Sequence, residues 1–279
     1  MKTNHFTIAV TGDIDTFEKE DEKCLSKFLD TLEAHGIRCT LPVTADAVKN
    51  FPGRANYILQ RGHEIAGHGD VHEPFRGPKD RQVERLEKMI DMIFEYTGYK
   101  VEGFRAPFIN ADSNLFAALE TVGLKYDSTL KVFGYICKYI PYYRKHYFEG
   151  TGYTLLKPAF NAAGTLYNFI NKRTRAPYKI GNVLEIPVIG DSDYTLIDSP
   201  RGPHFPKHEA LKVAGVWWEH VKRLRKSHKA VALQAHPGRV SPDYLDGLNH
   251  FCEKCLESGI TFLTLGKITE IADTVNTTL

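Results

Sequence analysis

Short apolar runs recur along this chain, and most are followed by a longer stretch whose apolar residues return every three or four positions. The first run, His5–Thr11, reads as a buried strand, and Thr16–Ala34 as an amphipathic helix closed by His35 and Gly36. Ile37–Val43 is the next strand, with Pro42 inside it, and Ala45–Gln60 is a helix interrupted at Pro52. His63–Gly67, Val101–Arg105, Leu124–Asp127, Val183–Val188, Ala230–Gln234 and Thr261–Leu265 continue the series of strands. Helices fit between most of them, at Asp80–Thr97, Asn114–Val122, Pro206–Arg225 and Pro242–Ser258. Such alternation implies a parallel sheet with helices covering it. Seven or eight units favour a single deformed (β/α) barrel over residues 1–279, with 131–180 as an insertion in it.

A barrel makes a test for chemistry, because functional groups collect at the C-terminal ends of its strands. Asp13 and Asp15 lie just past the first strand, His68 just past the third, and Arg105 at the end of the fourth. Asp127 ends the fifth strand, and His236 follows Ala230–Gln234. All fall on one rim. On an extended segment Asp13 and Asp15 face the same way, and their carboxylates repel unless a cation or an arginine lies between them. His68 and His72 have the spacing that brings two rings to one side of a helical turn. Two His and one Asp suit a borderline divalent ion such as zinc and leave a coordination position open. Arg105, ahead of a rigid proline, stays charged and can grip a carboxylate. Each group also has a plainer reading: a turn with a helix cap for the Asp pair, a structural ion pair for Arg105, a turn for Asp127-Ser128.

Bulk properties narrow the function. Lys and Arg exceed Asp and Glu by only two, which argues against a nucleic-acid binder. There is no run of about 18 apolar residues to cross a membrane. The first strand begins near His5, with no room for a signal peptide before it, so the expected compartment is the cytoplasm. Cys24, Cys39, Cys137, Cys252 and Cys255 fit a reducing environment, and the Cys252–Cys255 pair is expected to pack inside a helix.

Taken in order, the rim residues resemble the polysaccharide deacetylase family, carbohydrate esterase family four, from about Phe6 to Leu265. Asp13-x-Asp15 corresponds to its first motif in a spaced form, His68-x-x-x-His72 to the second, Arg105-x-Pro107 to the third and Leu233-x-x-His236 to the fifth. Asp127 matches the fourth without its aromatic partner. The resemblance implies a metal-dependent amide hydrolase that removes an acetyl or formyl group from an amino sugar. In that scheme Asp15, His68 and His72 hold the metal, zinc first, with cobalt, nickel, iron or manganese as substitutes. The metal activates a bound water and polarises the carbonyl. Asp13 is the general base, oriented by Arg105, and His236 is the acid, with Asp127 tuning it. A backbone N–H shares the oxyanion with the metal.

Segment Lys131–Ile180 stands apart. It carries nine Lys or Arg against one acid, Glu149, and eight of the fourteen Tyr, including Tyr135, Tyr139, Tyr142, Tyr143 and Tyr147. Basic and amphipathic aromatic residues together suit an anionic headgroup region. The segment is therefore expected to act as a lid, a membrane-surface patch or a packing element. A lipid-phosphate-linked or nucleotide-linked N-acyl sugar of envelope-glycan or lipopolysaccharide assembly would meet it at the inner face of the membrane. The Asp15-Thr16-Phe17 continuation is similar to that of aminoarabinose-lipid deformylases. Two other functions fit: a small-molecule amidohydrolase of the imidase or allantoinase kind, and a non-catalytic carbohydrate-binding protein.

Overall fold

The computed structural model describes residues 6–134, 136, 151–193, 196, 210–239 and 242–276. Strand β1, Thr7–Gly12, sits at the centre. It runs parallel to β10, Ala230–Ala235, over six residue pairs from Thr7–Ala230 to Gly12–Ala235. On its other side follow β2 (Thr40–Val43), β3 (Glu64–Gly67), β4 (Gly103–Phe104) and β5 (Tyr126–Asp127), all parallel.

The ring then closes through two bent segments. Residues 126–132 hold β5 and, farther on, β6 (Lys131–Val132). Residues 183–189 hold β8 (Val183–Glu185) and β9 (Val188–Ile189). β5 pairs with β8, β6 with β9, and β9 with β10, so the two segments run side by side and lead back to β10. Seven strand segments make the circuit. The run expected at Val183–Val188 is split because Pro187 has no N–H for the ladder; its carbonyl still accepts from Ala232 N at 2.9 Å. β7, Tyr178–Ile180, adds antiparallel to β8, and β11, Thr261–Phe262, adds to the start of β1. This is the deformed α/β barrel that the alternation implies.

Period two along the strands sorts the side chains. Ile8, Val10, Leu41, Val43 and Ile65 join the larger apolar cluster, packed with Phe28, Leu29, Leu32, Leu86 and Ile93 of the surrounding helices. Those helices are α1 (Lys19–Glu33) and α4 (Lys79–Thr97), with α2 (Ala45–Asn50) and α3 (Pro52–Gln60) parted at Pro52 as the sequence implies. The intervening positions, Ala9, Ala66, Tyr126, Ile186 and Ala232, form a second, smaller cluster inside the ring. Leu265 and Ile268 complete it from α9, Leu265–Asn276, a helix beyond the last expected strand. α9 closes the N-terminal end of the barrel: Glu64 accepts from Gly266 N at 3.0 Å and from the Tyr126 hydroxyl at 2.6 Å. α5 (Leu115–Thr121), α6 (Thr151–Ile170), α7 (Ala210–Leu224) and α8 (Pro242–Glu257) finish the outer layer. α6 lies in the basic insertion, where the sequence reading set no helix. Cys252 and Cys255 are buried free thiols on α8, as packing requires.

Candidate metal and catalytic centre

β1 delivers both carboxylates to the C-terminal rim, and the chain turns between them. Asp13 N still bonds to Ala235 O, whereas Ile14 pairs across to Val43. That switch of partner, from β10 to β2, sends the two carboxylates to different neighbours. Asp15 Oδ1 lies 3.0 Å from His72 Nε2 and 3.6 Å from His68 Nε2. One donor atom from each of Asp15, His68 and His72 falls within 4.8 Å of the others. Burial opposes ionisation of Asp15, but His68 and His72 beside it hold its pKa below the ordinary value.

The fit to a metal is set by what the other ring atoms do. His68 is buried, and its Nδ1 faces the Arg105 carbonyl at 2.8 Å. A carbonyl can only accept, so Nδ1 carries a proton, and Nε2, the ring atom facing Asp15, is the one left for a metal to take. One carboxylate and two imidazoles match a borderline divalent cation. Gly69 makes the His68–His72 turn feasible: its φ is +92°, and a Cβ there would sit 2.9 Å from the Val71 carbonyl. The His72 ring is flanked by Phe108, 4.2 Å between centroids. Phe108 is exposed and itself left-handed, with φ 57°.

Asp13 belongs to a second group behind the first. Its Oδ1 accepts from Arg105 Nη1 at 2.6 Å, and its Oδ2 from Gln234 Nε2 at 2.5 Å. Arg105 is wholly buried yet has every nitrogen engaged: Nη1 also reaches Thr11 Oγ1 at 2.6 Å, Nε the Ser128 carbonyl at 2.8 Å, and Nη2 the Ser128 hydroxyl at 2.8 Å. Burial would raise the Asp13 pKa, but Arg105 foremost, then His68, His236 and the Gln234 bond, bring it down to about 2. Asp13 is thus an ionised carboxylate held in one orientation.

His236 follows β10, and its partner is Asp193, just past β9. Asp193 Oδ1 meets His236 Nδ1 at 2.8 Å, and Oδ2 accepts from the His236 backbone N–H at 2.7 Å. This corrects the expectation for Asp127, which lies elsewhere. Along β4 and β5 alternate residues change sides, so Ser128, not Asp127, shares the face of Arg105. Asp127 points outward and is fully buried; it accepts from Thr129 N at 3.0 Å and Thr129 Oγ1 at 2.8 Å and shares a hydrogen bond with Glu185. Burial and the Asp127 charge push Glu185 well above the usual carboxylate range, so Glu185 is the protonated member.

Thr11, Ser128, Gln234 and Asp193 complete the site and were not singled out in the sequence. Asp193 had a signal: it follows a strand of the same rim, in an Asp191-x-Asp193 repeat of the Asp13-x-Asp15 spacing. A cleft opens over the site, lined by Asp13, Asp15, Thr16, Phe17, His236 and Pro237.

Known proteins share this arrangement of chain. Residues 3–126 match the family model described as polysaccharide deacetylase. Residues 3–126, rather less than half of the chain, are thus similar to the polysaccharide deacetylase family. The peptidoglycan deacetylase-like protein FGM2 of Gibberella zeae is 32% identical over 110 residues, 38% of this chain and 32% of that protein. The chain thus spans about a third of that curated relative's length. A polysaccharide deacetylase-type structure from Mycobacterium smegmatis superposes with a TM-score of 0.69 at 19% identity, covering 97% of this chain and 91% of that one. The PuuE allantoinase superposes with a TM-score of 0.66 at 15% identity, over 97% and 91%. At those identities the two structures show the fold alone.

Proposed function

We propose that this protein is a metal-dependent amidohydrolase that removes an acetyl or formyl group from an amino sugar. The observation that carries the reading is the placement of two hydrogen-bonded pairs, Arg105–Asp13 and Asp193–His236, on one rim with the Asp15, His68 and His72 trio. The trio would hold the ion. When bound, a divalent ion supplies Lewis acidity, which acidifies water and polarises a carbonyl oxygen.

The chain's own residues do the rest. Asp13 takes the proton of the attacking water; Arg105 and Gln234 fix its carboxylate and keep it ionised until then. His236 donates from Nδ1 to the Asp193 carboxylate, which orients the ring and leaves Nε2 to protonate the departing nitrogen. Asp193 stabilises the imidazolium form without itself taking the proton. The division of labour in Asp13-x-Asp15 follows from contacts: Asp15 sits with the imidazoles and Asp13 with the guanidinium. The positive charge of segment 131–180 supports an anionic carrier for the sugar, a lipid phosphate or a nucleotide.

The test is acetate and formate release from a panel of N-acyl amino sugars by zinc-loaded protein, with allantoin and cyclic imides in parallel. Turnover of the sugars, abolished in Asp13→Asn with metal content retained, is the expected result. Turnover of the imides alone would assign the allantoinase-like chemistry instead, and no turnover of either would leave a binding protein.

A further inference from the structure

Helix α6 is amphipathic the wrong way round for a helix facing water. Its inward side carries buried Gly164 and Asn168, the latter bonded to Phe133 through both N–H and carbonyl, at 3.0 and 2.7 Å. Its exposed side carries Ala159, Ala162, Thr165, Leu166, Phe169 and Ile170. At a helical period these occupy one arc, and none is charged. Leu166, Phe169 and Ile170 are 57%, 71% and 67% exposed, and they sit side by side at i, i+3 and i+4. Ordinary surface helices put charge on that arc, and contiguous exposed apolar side chains rimmed by polar ones mark an interaction surface.

The rim identifies the partner. From Gly150 to Leu184 the sequence has no Asp or Glu. Where α6 ends, Lys172 and Arg175 are exposed. Arg225, Lys226 and Lys229, also exposed, are brought to the same place by the bond from Lys229 N to the Ala176 carbonyl, 2.7 Å. Arg223 lies against the ridge itself, beside Leu166 and Phe169. An apolar ridge bordered by these cations repels a second copy of itself. It is complementary to a surface with apolar depth and anionic headgroups.

We propose that the outer face of α6 docks on an anionic lipid bilayer as a peripheral contact, with Leu166, Phe169 and Ile170 entering the headgroup boundary and the Lys and Arg border meeting lipid phosphates. No described helix is long and apolar enough to cross a membrane, so the contact is one of surface only. Ala176 joins the N-terminal end of β10, whereas His236 follows its C-terminal end. None of the residues lining the cleft at the rim belongs to the docking ridge. Docking therefore fixes the protein by its flank and leaves the reaction site clear.

Flotation of the full chain with phosphatidylcholine vesicles, with and without phosphatidylglycerol, tests the proposal independently of any enzymatic activity. The expected result is binding to the anionic vesicles only, weakened by salt. Phe169→Ser with Ile170→Ser should lower the partition coefficient by about tenfold or more, as should Lys172→Gln with Arg175→Gln, since each cation near the surface adds roughly fivefold. Both pairs are exposed, so an unchanged Tm verifies the fold. Wild-type binding by either variant, equal binding to neutral vesicles, or a stable dimer that Phe169→Ser dissociates would overturn it.

Discussion

Asp193 holds His236 twice, through Nδ1 at 2.8 Å and through the backbone N–H at 2.7 Å, so one carboxylate sets both the position and the tautomer of the ring. Such an orienting group acts on the turnover step more than on binding. Asp193→Asn should keep its metal and its KM and lose about 100-fold or more in kcat. The limb of the pH–rate profile governed by the acid should move as well. Asp127→Asn, by contrast, should leave both limbs in place, since Asp127 is buried on the opposite side of its strand. Steady-state kinetics across pH on the two variants decides between the carboxylates.

The metal trio makes a prediction that needs no substrate. A ligand that binds the folded state alone stabilises it, by about 2.7 kcal/mol at one hundred times its Kd. Adding zinc to metal-free protein should raise Tm. His68→Ala should abolish the rise, because it removes the ligand whose tautomer is set by the Arg105 carbonyl. A full shift in that variant would show that zinc binds elsewhere.

What the sequence disclosed here followed from strand ends. Asp13, Asp15, His68, Arg105 and His236 were legible because each ends or follows an apolar run, and the barrel topology places all such ends on one rim. Asp193 escaped because Pro187 splits its strand and because it lies four residues beyond Ile189, where β9 ends. Asp127 was misplaced for a subtler reason. At a strand end, neighbouring residues face opposite sides, and a shift of one exchanges an active-site residue for a core one. Only the register of Phe104 with Asp127 places Ser128 beside Arg105. α6 was missed although its apolar residues follow a helical period, and the sequence could not show that this apolar arc faces outward.

Arg105 is a structural keystone as well as a positioning residue, and its two roles separate by measurement. Arg105→Lys keeps the charge but cannot serve Thr11, Asp13 and both Ser128 oxygens from one ammonium. A buried ion pair broken on one side costs about 3–5 kcal/mol, and the lysine should lose somewhat less. Urea unfolding reads the loss. Gln234→Ala removes the other bond to Asp13 with a smaller stability cost, about 1–2 kcal/mol, yet should still lower kcat.

Acid stability should depend on a cluster far from the rim. Glu33 bonds to Arg61 at 2.8 Å and to His63 at 2.9 Å, and the Arg61 bond leads in holding its pKa down to about 2 from an ordinary 4.5. A carboxylate depressed on folding contributes stability above its unfolded pKa and loses it as pH falls through the folded one. The window is therefore pH 4.5 down to about 2. Glu33 is partly exposed, so solvent screening leaves roughly 1 kcal/mol to lose. Glu33→Gln should lower stability at pH 7 by that amount and flatten the acid limb of a stability–pH curve.

The Asp127–Glu185 pair predicts the opposite sign. Glu185 is buried, takes the Leu130 N–H at 2.9 Å on one oxygen, and leaves the other without any donor, which suits a protonated acid that donates to Asp127. A carboxyl whose pKa is raised on folding is ionised more readily in the unfolded chain. It therefore costs stability as pH rises from the ordinary carboxylate range towards the raised folded value. Glutamine reproduces the neutral acid: its N–H donates to Asp127 and its oxygen accepts from Leu130. Glu185→Gln should leave the protein at least as stable at pH 8, with a flatter dependence above pH ~5. Glu185→Ala strands both partners in the core and should cost about 2–3 kcal/mol. Thermal unfolding of the two variants from pH 5 to 9 separates the cases, and a glutamine variant as damaged as the alanine one would mean that the native pair is ionised.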